Sequence, residues 1–458
     1  MTDLLGGKGA NLAEMSLLGI NVPPGFTVTT EVCNYFMKHG NVPDNLDEEL
    51  KQSLKNLEKT TNKIFDSDKK PLLLSVRSGG KISMPGMMDS ILNIGINDKN
   101  LESLSSDFND ERFALDSYRR LIQMYGNVVL NIEMDRFEAI LDNKKRIDGV
   151  ENDNEFNPDQ LRWIIDAFKT TIERFSKKSF PQDPNIQLNG AIEAVFKSWS
   201  NKRAVTYRKI NNIPDEWGTA VNVQSMVFGN LNEKSGTGVA FTRFPSTGKN
   251  KLYGEYLMNA QGEDVVAGIR TPFPIGMHEK NTQPSLEEVN SALYKEIKDI
   301  ADKLEMHYKD VQDIEFTIED SVVYILQTRS AKRTAQASVK IAVDMHNENL
   351  LTKEEAINMV DANQITSVLH PQFKESSERD LFEKGLNASP GAAVGVIVFD
   401  PDTAELEAQK GRKVILVRDE TSPEDIHGMF TSVGILTTKG GMTSHAAVVA
   451  RGMAKPCV

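Results

Sequence analysis

The chain is expected to be an α+β protein with more than one domain. Three observations predict this. Its 458 residues are about three times the length of a typical domain. The hydrophobic period switches several times along the chain between the two residues of a strand and the 3.6 of a helix. Hydrophobic residues at 39% and charged residues at 26% are globular values, and no internal repeat or low-complexity tract breaks the pattern.

Within the first 95 residues, Thr27-Val28-Thr29-Thr30 and Leu72-Leu73-Leu74-Ser75-Val76 read as strands. The second is apolar enough to be buried on both faces. Between them a charged amphipathic helix is expected from Asn45 to Phe65, capped by Asn45 or Asp47. From about 100 to 212 the pattern is mainly helical, as in Leu161, Trp163, Ile164, Ile165, Phe168 and again in Ala191, Ile192, Val195, Phe196, Trp199. Strand character returns at Val221–Gln224 and Val239–Thr242. A helix over about Ser285–His307 and a hairpin over Asp313–Arg329 follow. Residues 331–380 read as a helical linker. A further unit, 381–458, carries strands at Val394–Phe399 and Val414–Val417 and stops in the middle of an element.

Charge and cysteine content exclude several classes. The chain has 53 basic and 65 acidic residues, a net charge of −12, so it is not expected to bind nucleic acid or an anionic membrane. No apolar run reaches the roughly 18 residues of a membrane span, and the first residues lack a secretory pattern. Two cysteines, Cys33 and Cys457, cannot build a disulfide framework and point to a reducing, cytoplasmic compartment.

Several groups can do chemistry. In Asp313-Ile314-Glu315-Phe316-Thr317-Ile318, alternation puts both carboxylates on one face. Two carboxylates one pleat apart suit Mg²⁺, although the same pattern also makes a solvated edge hairpin. A three-residue turn, Glu319-Asp320-Ser321, would pair 313 with 327 and gather Asp313, Glu315, Gln327 and Arg329 on one face, with Ser321 left-handed. A two-residue turn would put Gln327 opposite Ile314. Gly6-Gly7-Lys8-Gly9, before a helix expected near Ala10, offers backbone N–H groups and a lysine to an anion, or is a plain turn. Ser235-Gly236-Thr237-Gly238 is a second such loop, and Gly236 and Gly238 lack the third glycine of a dinucleotide fingerprint. Arg77 and Arg120 each suit a phosphate or an ordinary ion pair. Finally, Gly440-Gly441-Met442-Thr443-Ser444-His445 precedes a short helix ending at Gly452. Thr443 or Ser444 is the expected cap. His445 in the first turn is either a capped, packed histidine or a nucleophile whose phosphorylated form the helix N-terminus stabilises.

Together these stretches resemble the pyruvate, phosphate dikinase family. The resemblance is carried by Gly6–Met15, Ser75–Gly79, Met84-Pro85-Gly86-Met87-Met88-Asp89, Val223–Gly229, Ser235–Arg243, Asn259–Val266, Asp313–Arg329, Glu420-Thr421-Ser422-Pro423-Glu424-Asp425 and the Gly440–Gly452 loop, in family order. It implies an ATP-grasp nucleotide-binding domain over 1–330 with a helical insertion at about 97–212, then the linker and a swivelling α/β phosphohistidine domain. In that family a histidine takes a diphosphoryl group from ATP and AMP leaves. Phosphate then removes the γ-phosphoryl as diphosphate, and the phosphohistidine converts pyruvate to phosphoenolpyruvate. The resemblance makes His445 the carrier, Lys8, Arg77 and Arg120 phosphate clamps, Asp313 and Glu315 the Mg²⁺ ligands, and Gln327 and Arg329 holders of the transferring group. It sets Glu263 toward the ribose or adenine, Gly86 and Met88 along the base, and Thr443 as the target of a regulatory kinase/phosphorylase, where a phosphate would repel ATP.

The chain departs from the family pattern at Arg243-Phe244-Pro245, where the family has Arg-Asn-Pro, and at Gly80-Lys81-Ile82, where it has Ala-Arg-Ala. The family's C-terminal barrel, which binds pyruvate, is expected to be absent, leaving at most the ATP and phosphate half-reaction. The rival readings are a phosphoenolpyruvate synthase, which has Cys where Ser444 stands, and a non-catalytic remnant that docks a partner. A sugar phosphotransferase enzyme I lacks the nucleotide-binding front end, and a polyglucan dikinase would need carbohydrate modules.

Overall fold

The computed structural model describes residues 1–84, 86–262, 272–277, 283–362 and 383–458. They form two compact units, Met1–Ala13 with Pro23–Val227, and Glu14–Val22 with Phe228–Val458.

The first unit is built on an antiparallel sheet. Its described strands are β1 (Gly25–Val28), β2 (Leu74–Gly80), β3 (Ser90–Ile94) and β4 (Thr219–Ser225), in the order β1-β4-β2-β3. Leu72 to Val76 are all buried, as expected, although the strand itself begins at Leu74 and runs on to Gly80. The mainly helical stretch appears as Leu101–Phe108, Glu111–Val128, Met134–Asp148, Pro158–Ser176, Pro184–Ser198 and Lys202–Ile210. The helix Pro158–Ser176 starts at an Asn157/Gln160 capping box with proline at its first position. Its Phe168 meets Phe137 edge-on with centroids 5.0 Å apart. The charged amphipathic helix spans Leu46–Thr61 and follows Asn45 as expected. It stops short of Phe65 because Asn62 turns left-handed, at φ 52°.

One expectation near the start is corrected. A helix already runs from Thr2 and continues to Leu17, broken at Gly6. Gly6 adopts φ 67° and ψ 171°, and a Cβ there would fall 1.8 Å from the Gly79 carbonyl oxygen. Only glycine permits this approach to β2.

The second unit contains a five-stranded antiparallel sheet among its described residues. The strands are β5 (Gly236–Phe241), β6 (Tyr253–Met258), β7 (Phe273–Pro274), β8 (Gln312–Glu319) and β9 (Val322–Ser330), in the order β7-β6-β5-β8-β9. The helix expected over Ser285–His307 is two, Leu286–Val289 and Ser291–Tyr308. Asn290, at φ −150°, ends the first and caps the second by accepting from the Leu293 amide. The helices Ala335–Asn347 and Lys353–Met359 bury Ile341, Met345 and Ala356 with Val239 and Phe241 of β5. The rest of the expected linker, 363–380, lies outside the described residues. A parallel sheet follows: β10 (Val396–Val398), β11 (Val414–Arg418) and β12 (Gly434–Thr437), joined by the helices Pro401–Gln409 and Ile426–Thr431.

The hairpin of β8 and β9 shows how a register is set. Asp320 and Ser321 both have positive φ, 46° and 71°, and Glu319 pairs with Val322, so the turn has two residues and not the three expected. A turn with two left-handed residues matches the strand twist. The parity that the turn alone would have spoiled is restored by a bulge. Phe316 pairs with Ile325 and Glu315 with Gln327, leaving Leu326 extra in β9. Asp313 therefore pairs with Arg329 rather than with Gln327, and all four polar side chains still share one face.

Candidate functional site

Directly opposed residues of an antiparallel pair share a face. Val239 of β5 pairs with Glu255 on one side and Glu315 on the other, and Phe241 pairs with Tyr253 and Asp313. One face of the five-stranded sheet thus carries Glu255, Asp313, Glu315, Gln327 and Arg329. Arg329 Nε donates to Asp313 Oδ2 at 2.9 Å, and its Nη2 lies 3.7 Å from Glu315 Oε1. Asp313 is buried, and its Oδ1 has no hydrogen-bond partner among the described residues. Burial pushes its carboxyl above the usual range, Arg329 opposes that rise, and Glu315 adds to it.

A buried carboxylate oxygen with no donor beside a second carboxylate suits a hard cation. Mg²⁺ usually takes one or two carboxylates and completes its shell elsewhere. Asp313 and Glu315 therefore fit that ion, although no three His, Cys, Asp or Glu gather as a cluster among the described residues.

The histidine loop approaches the same face. His445 opens the helix His445–Gly452, and Ser444 is its cap, with its Oγ accepting from the Ala447 amide at 3.5 Å. Imidazole Nδ1 and the Thr421 hydroxyl are hydrogen-bonded at 3.0 Å, whereas the buried Nε2 has no partner among the described residues. Burial lowers the imidazole pKa to about 4 against the pull of Asp425, so the ring is neutral at pH 7. The Glu255 carboxylate accepts from the Met442 amide at 3.1 Å, the Thr443 amide at 3.3 Å and the Thr443 hydroxyl at 2.6 Å. Gly441 allows this approach, since a Cβ there would sit 2.6 Å from Glu255 Oε2. At the far end of the helix, buried Arg451 donates to the carbonyls of Met442 (2.8 Å) and Ala388 (3.1 Å), and its guanidinium lies 5.8 Å from the Phe241 ring centroid.

In the first unit, Lys8 and Arg77 are brought to one face of the four-stranded sheet. Arg77 and Gly79 lie two apart on β2, and a Cβ on Gly79 would be 3.6 Å from Lys8 Cβ and 2.5 Å from Asn222 Nδ2. Asn222 is the β4 partner of Arg77. Arg120, on the helix Glu111–Val128, pairs at 3.0 Å with buried Asp116, which also holds Arg119. Although burial opposes it, these guanidinium groups keep the Asp116 carboxyl well below its usual range. Gly86 has φ 70°, and the Met88 methyl lies 3.4 Å from where a Gly80 Cβ would be, on the other side of β2 from Lys8. Arg203 secures this loop by donating to the Met87 carbonyl at 3.2 Å and pairing with Asp89. Glu263 lies outside the described residues.

Gly236 and Gly238 are not in a loop. They begin β5 and are paired on both sides, with Met258 and Tyr256 on β6 and Ile318 and Phe316 on β8. The ladder takes up their backbone groups. A Cβ on Gly238 would lie 2.4 Å from the Phe316 ring, so packing explains the glycine.

Residues 2–67, 54–291 and 276–350 match the family model for the pyruvate phosphate dikinase AMP/ATP-binding domain. The chain belongs to the pyruvate, phosphate dikinase family. Residues 411–458 match the PEP-utilising enzyme mobile domain. The chain is 54% identical to the pyruvate, phosphate dikinase of Rhizobium meliloti over 100% of its own length and 51% of the relative's. It is 51% identical to that of Clostridium symbiosum, covering 100% and 52%, and 50% identical to the chloroplastic protein of Mesembryanthemum crystallinum, covering 100% and 48%. The chain thus spans about half the length of the curated relatives it matches.

Thr421 and Asp425 lie within the Glu420–Asp425 stretch that carries the family resemblance, and spacing alone gives neither a role. The turn-and-cap pattern Ser422-Pro423-Glu424-Asp425 marks a short helical turn, with the Ser422 amide donating to Asp425 Oδ2 at 2.8 Å. Nothing local distinguishes Glu255, Asn222 or Arg451 in the sequence, because their partners are distant in the chain. Among the described residues no helix is long and apolar enough to cross a membrane.

Proposed function

We propose that this chain phosphorylates its own His445 from ATP and phosphate, the half-reaction of a pyruvate, phosphate dikinase that its residues serve. The carrying observation is a neutral histidine whose Nε2 has no partner among the described residues, on a loop held to the sheet face that bears Asp313, Glu315, Gln327 and Arg329. In this reading the antiparallel sheets of the two units are the lobes of an ATP-grasp domain, and the parallel three-stranded unit is its swivelling carrier.

In this step the Thr421 hydroxyl oxygen accepts a hydrogen bond from Nδ1–H, which leaves the lone pair on Nε2. Nε2 attacks the β-phosphorus, the N–P bond forms, and the bridging oxygen departs with AMP. Inorganic phosphate then takes the γ-phosphoryl and leaves as diphosphate. Lys8, Arg77 and Arg120 hold phosphate oxygens, Gly86 and Met88 line the base, and Gln327 and Arg329 steady the group in flight, because phosphoryl transfer depends on positioning and charge neutralisation. Magnesium, when held by Asp313 and Glu315, supplies positive charge to the triphosphate. The pyruvate half-reaction is assigned to none of these 458 residues. Thr443, whose hydroxyl donates to Glu255, is the proposed target of a regulatory kinase/phosphorylase, since a phosphate there would add about −1.5 to −2 charge beside that carboxylate. Two free, buried cysteines fit a cytoplasmic setting.

The test is incubation with β-labelled ATP, Mg²⁺ and phosphate. Acid-labile label on His445, lost in His445→Asn, supports the proposal. No label on a folded sample defeats it. Label with release of orthophosphate, independent of added phosphate, would favour a synthase-like use of water.

A further inference from the structure

Two buried polar groups on opposing elements of the second unit have no hydrogen-bond partner among the described residues. One is Asp313 Oδ1 on β8, and the other is Arg451 Nε on the histidine helix. The two are neighbours across the sheet face. Arg451 stacks 5.8 Å from the centroid of Phe241, and Phe241 is the β5 residue paired with Asp313. Their opposite charges also act on each other, the guanidinium favouring the Asp313 carboxylate and the carboxylate favouring the Arg451 cation. The other two donor positions of Arg451 are committed to the Met442 and Ala388 carbonyls. Movement of this one side chain therefore moves the loop that carries His445.

We propose that Arg451 is a positioning residue that couples cation occupancy at Asp313 to the seating of the histidine loop. This rests on the reading of Asp313 and Glu315 as the Mg²⁺ ligands. Without the cation, Asp313 attracts Arg451 and the loop sits firmly on the sheet. With a dication on Asp313 that attraction is cancelled and Arg451 is repelled, so the loop loosens. Glu255 on the same face holds the loop by three hydrogen bonds, and Arg451 adds to that seat a cation that responds to charge at Asp313. Coupling of this kind is reciprocal, so the seated loop weakens cation binding by the same factor as the cation weakens seating.

Mn²⁺ alone, titrated into the full chain and followed by its paramagnetic signal, is the probe. Arg451→Met is expected to bind Mn²⁺ on the order of tenfold more tightly than the parent chain. Arg451→Lys, which keeps the charge, is expected to stay near the parent affinity. A merely structural role would alter both variants alike. In the unaltered chain, Mg²⁺ is expected to speed hydrogen exchange in peptides covering Met442–Ala447, a measurement that needs no variant to fold. Equal Mn²⁺ affinity in folded Arg451→Met and parent, or loop exchange indifferent to Mg²⁺, overturns the coupling. If the parent binds no Mn²⁺, the assignment of Asp313 and Glu315 falls and the coupling falls with it.

Discussion

In the proposed reaction the proton and the charge of the His445 imidazole must both be controlled, and different features of its surroundings control each. Thr421 holds Nδ1, and burial removes the charge. Thr421→Val should slow histidine labelling about tenfold, the scale of one lost hydrogen bond, while Thr421→Ser should stay near the parent rate. A falling pH tests the second control. The folded pKa of about 4 lies below the ordinary 6.5, so between these values the unfolded chain binds more protons. Stability from this group is fully present above pH 6.5 and is lost as pH falls through 4. Relative to His445→Gln, the parent should lose up to about 3 kcal/mol across that window in urea unfolding. The acid limb of labelling should likewise lie near pH 4. Arg120 and Asp116 differ in kind, because the buried carboxylate is satisfied within its own helix by two arginines, a pattern visible at i, i+3 and i, i+4.

At the scale of elements, β5 organises the second unit. It is buried along its length and pairs on both edges, so its glycines answer to packing. Just beyond it, Arg243 is fully buried and clamps Glu305 at 2.8 Å and Glu348 at 2.5 Å. This ties the sheet to the helix Ser291–Tyr308 and to the end of Ala335–Asn347. The two carboxylates hold the guanidinium pKa above its usual value even though burial opposes them. Arg243→Met would leave buried Glu305 unpaired and should cost about 3–5 kcal/mol in urea unfolding, without changing the charge of the His445 ring. The departure Arg243-Phe244-Pro245 keeps this arginine, and Phe244 packs on Tyr253 with centroids 4.1 Å apart. The β8–β9 hairpin makes the complementary point. Its polar face was legible from alternation, but the bulge at Leu326 was not, because a turn and a bulge can trade one residue without changing which side chains face together.

At the scale of the whole second unit, the contact of the histidine loop with the sheet rests on one carboxylate meeting three donors. Glu255→Ala should raise amide exchange at Met442 and Thr443 about tenfold or more. Glu255→Gln, which keeps an acceptor, should raise it less. If Glu255 were an incidental surface contact, neither substitution would change exchange in this loop.

Local chemistry alone marked the buried run at Leu72–Val76, the capped helix at His445, and the placing of Asp313 and Glu315 on one strand face. These depend on spacing and residue type, which a linear chain displays directly. Folding in three dimensions chose the partners. Asn222 sits between Gly9 and Gly79, Thr421 meets His445, Glu255 meets Thr443, and Arg451 rests over Phe241, at sequence separations from 24 to 213 residues. Such pairings are set by packing and by the need to satisfy buried polar groups, and no local pattern encodes which distant residue will satisfy them.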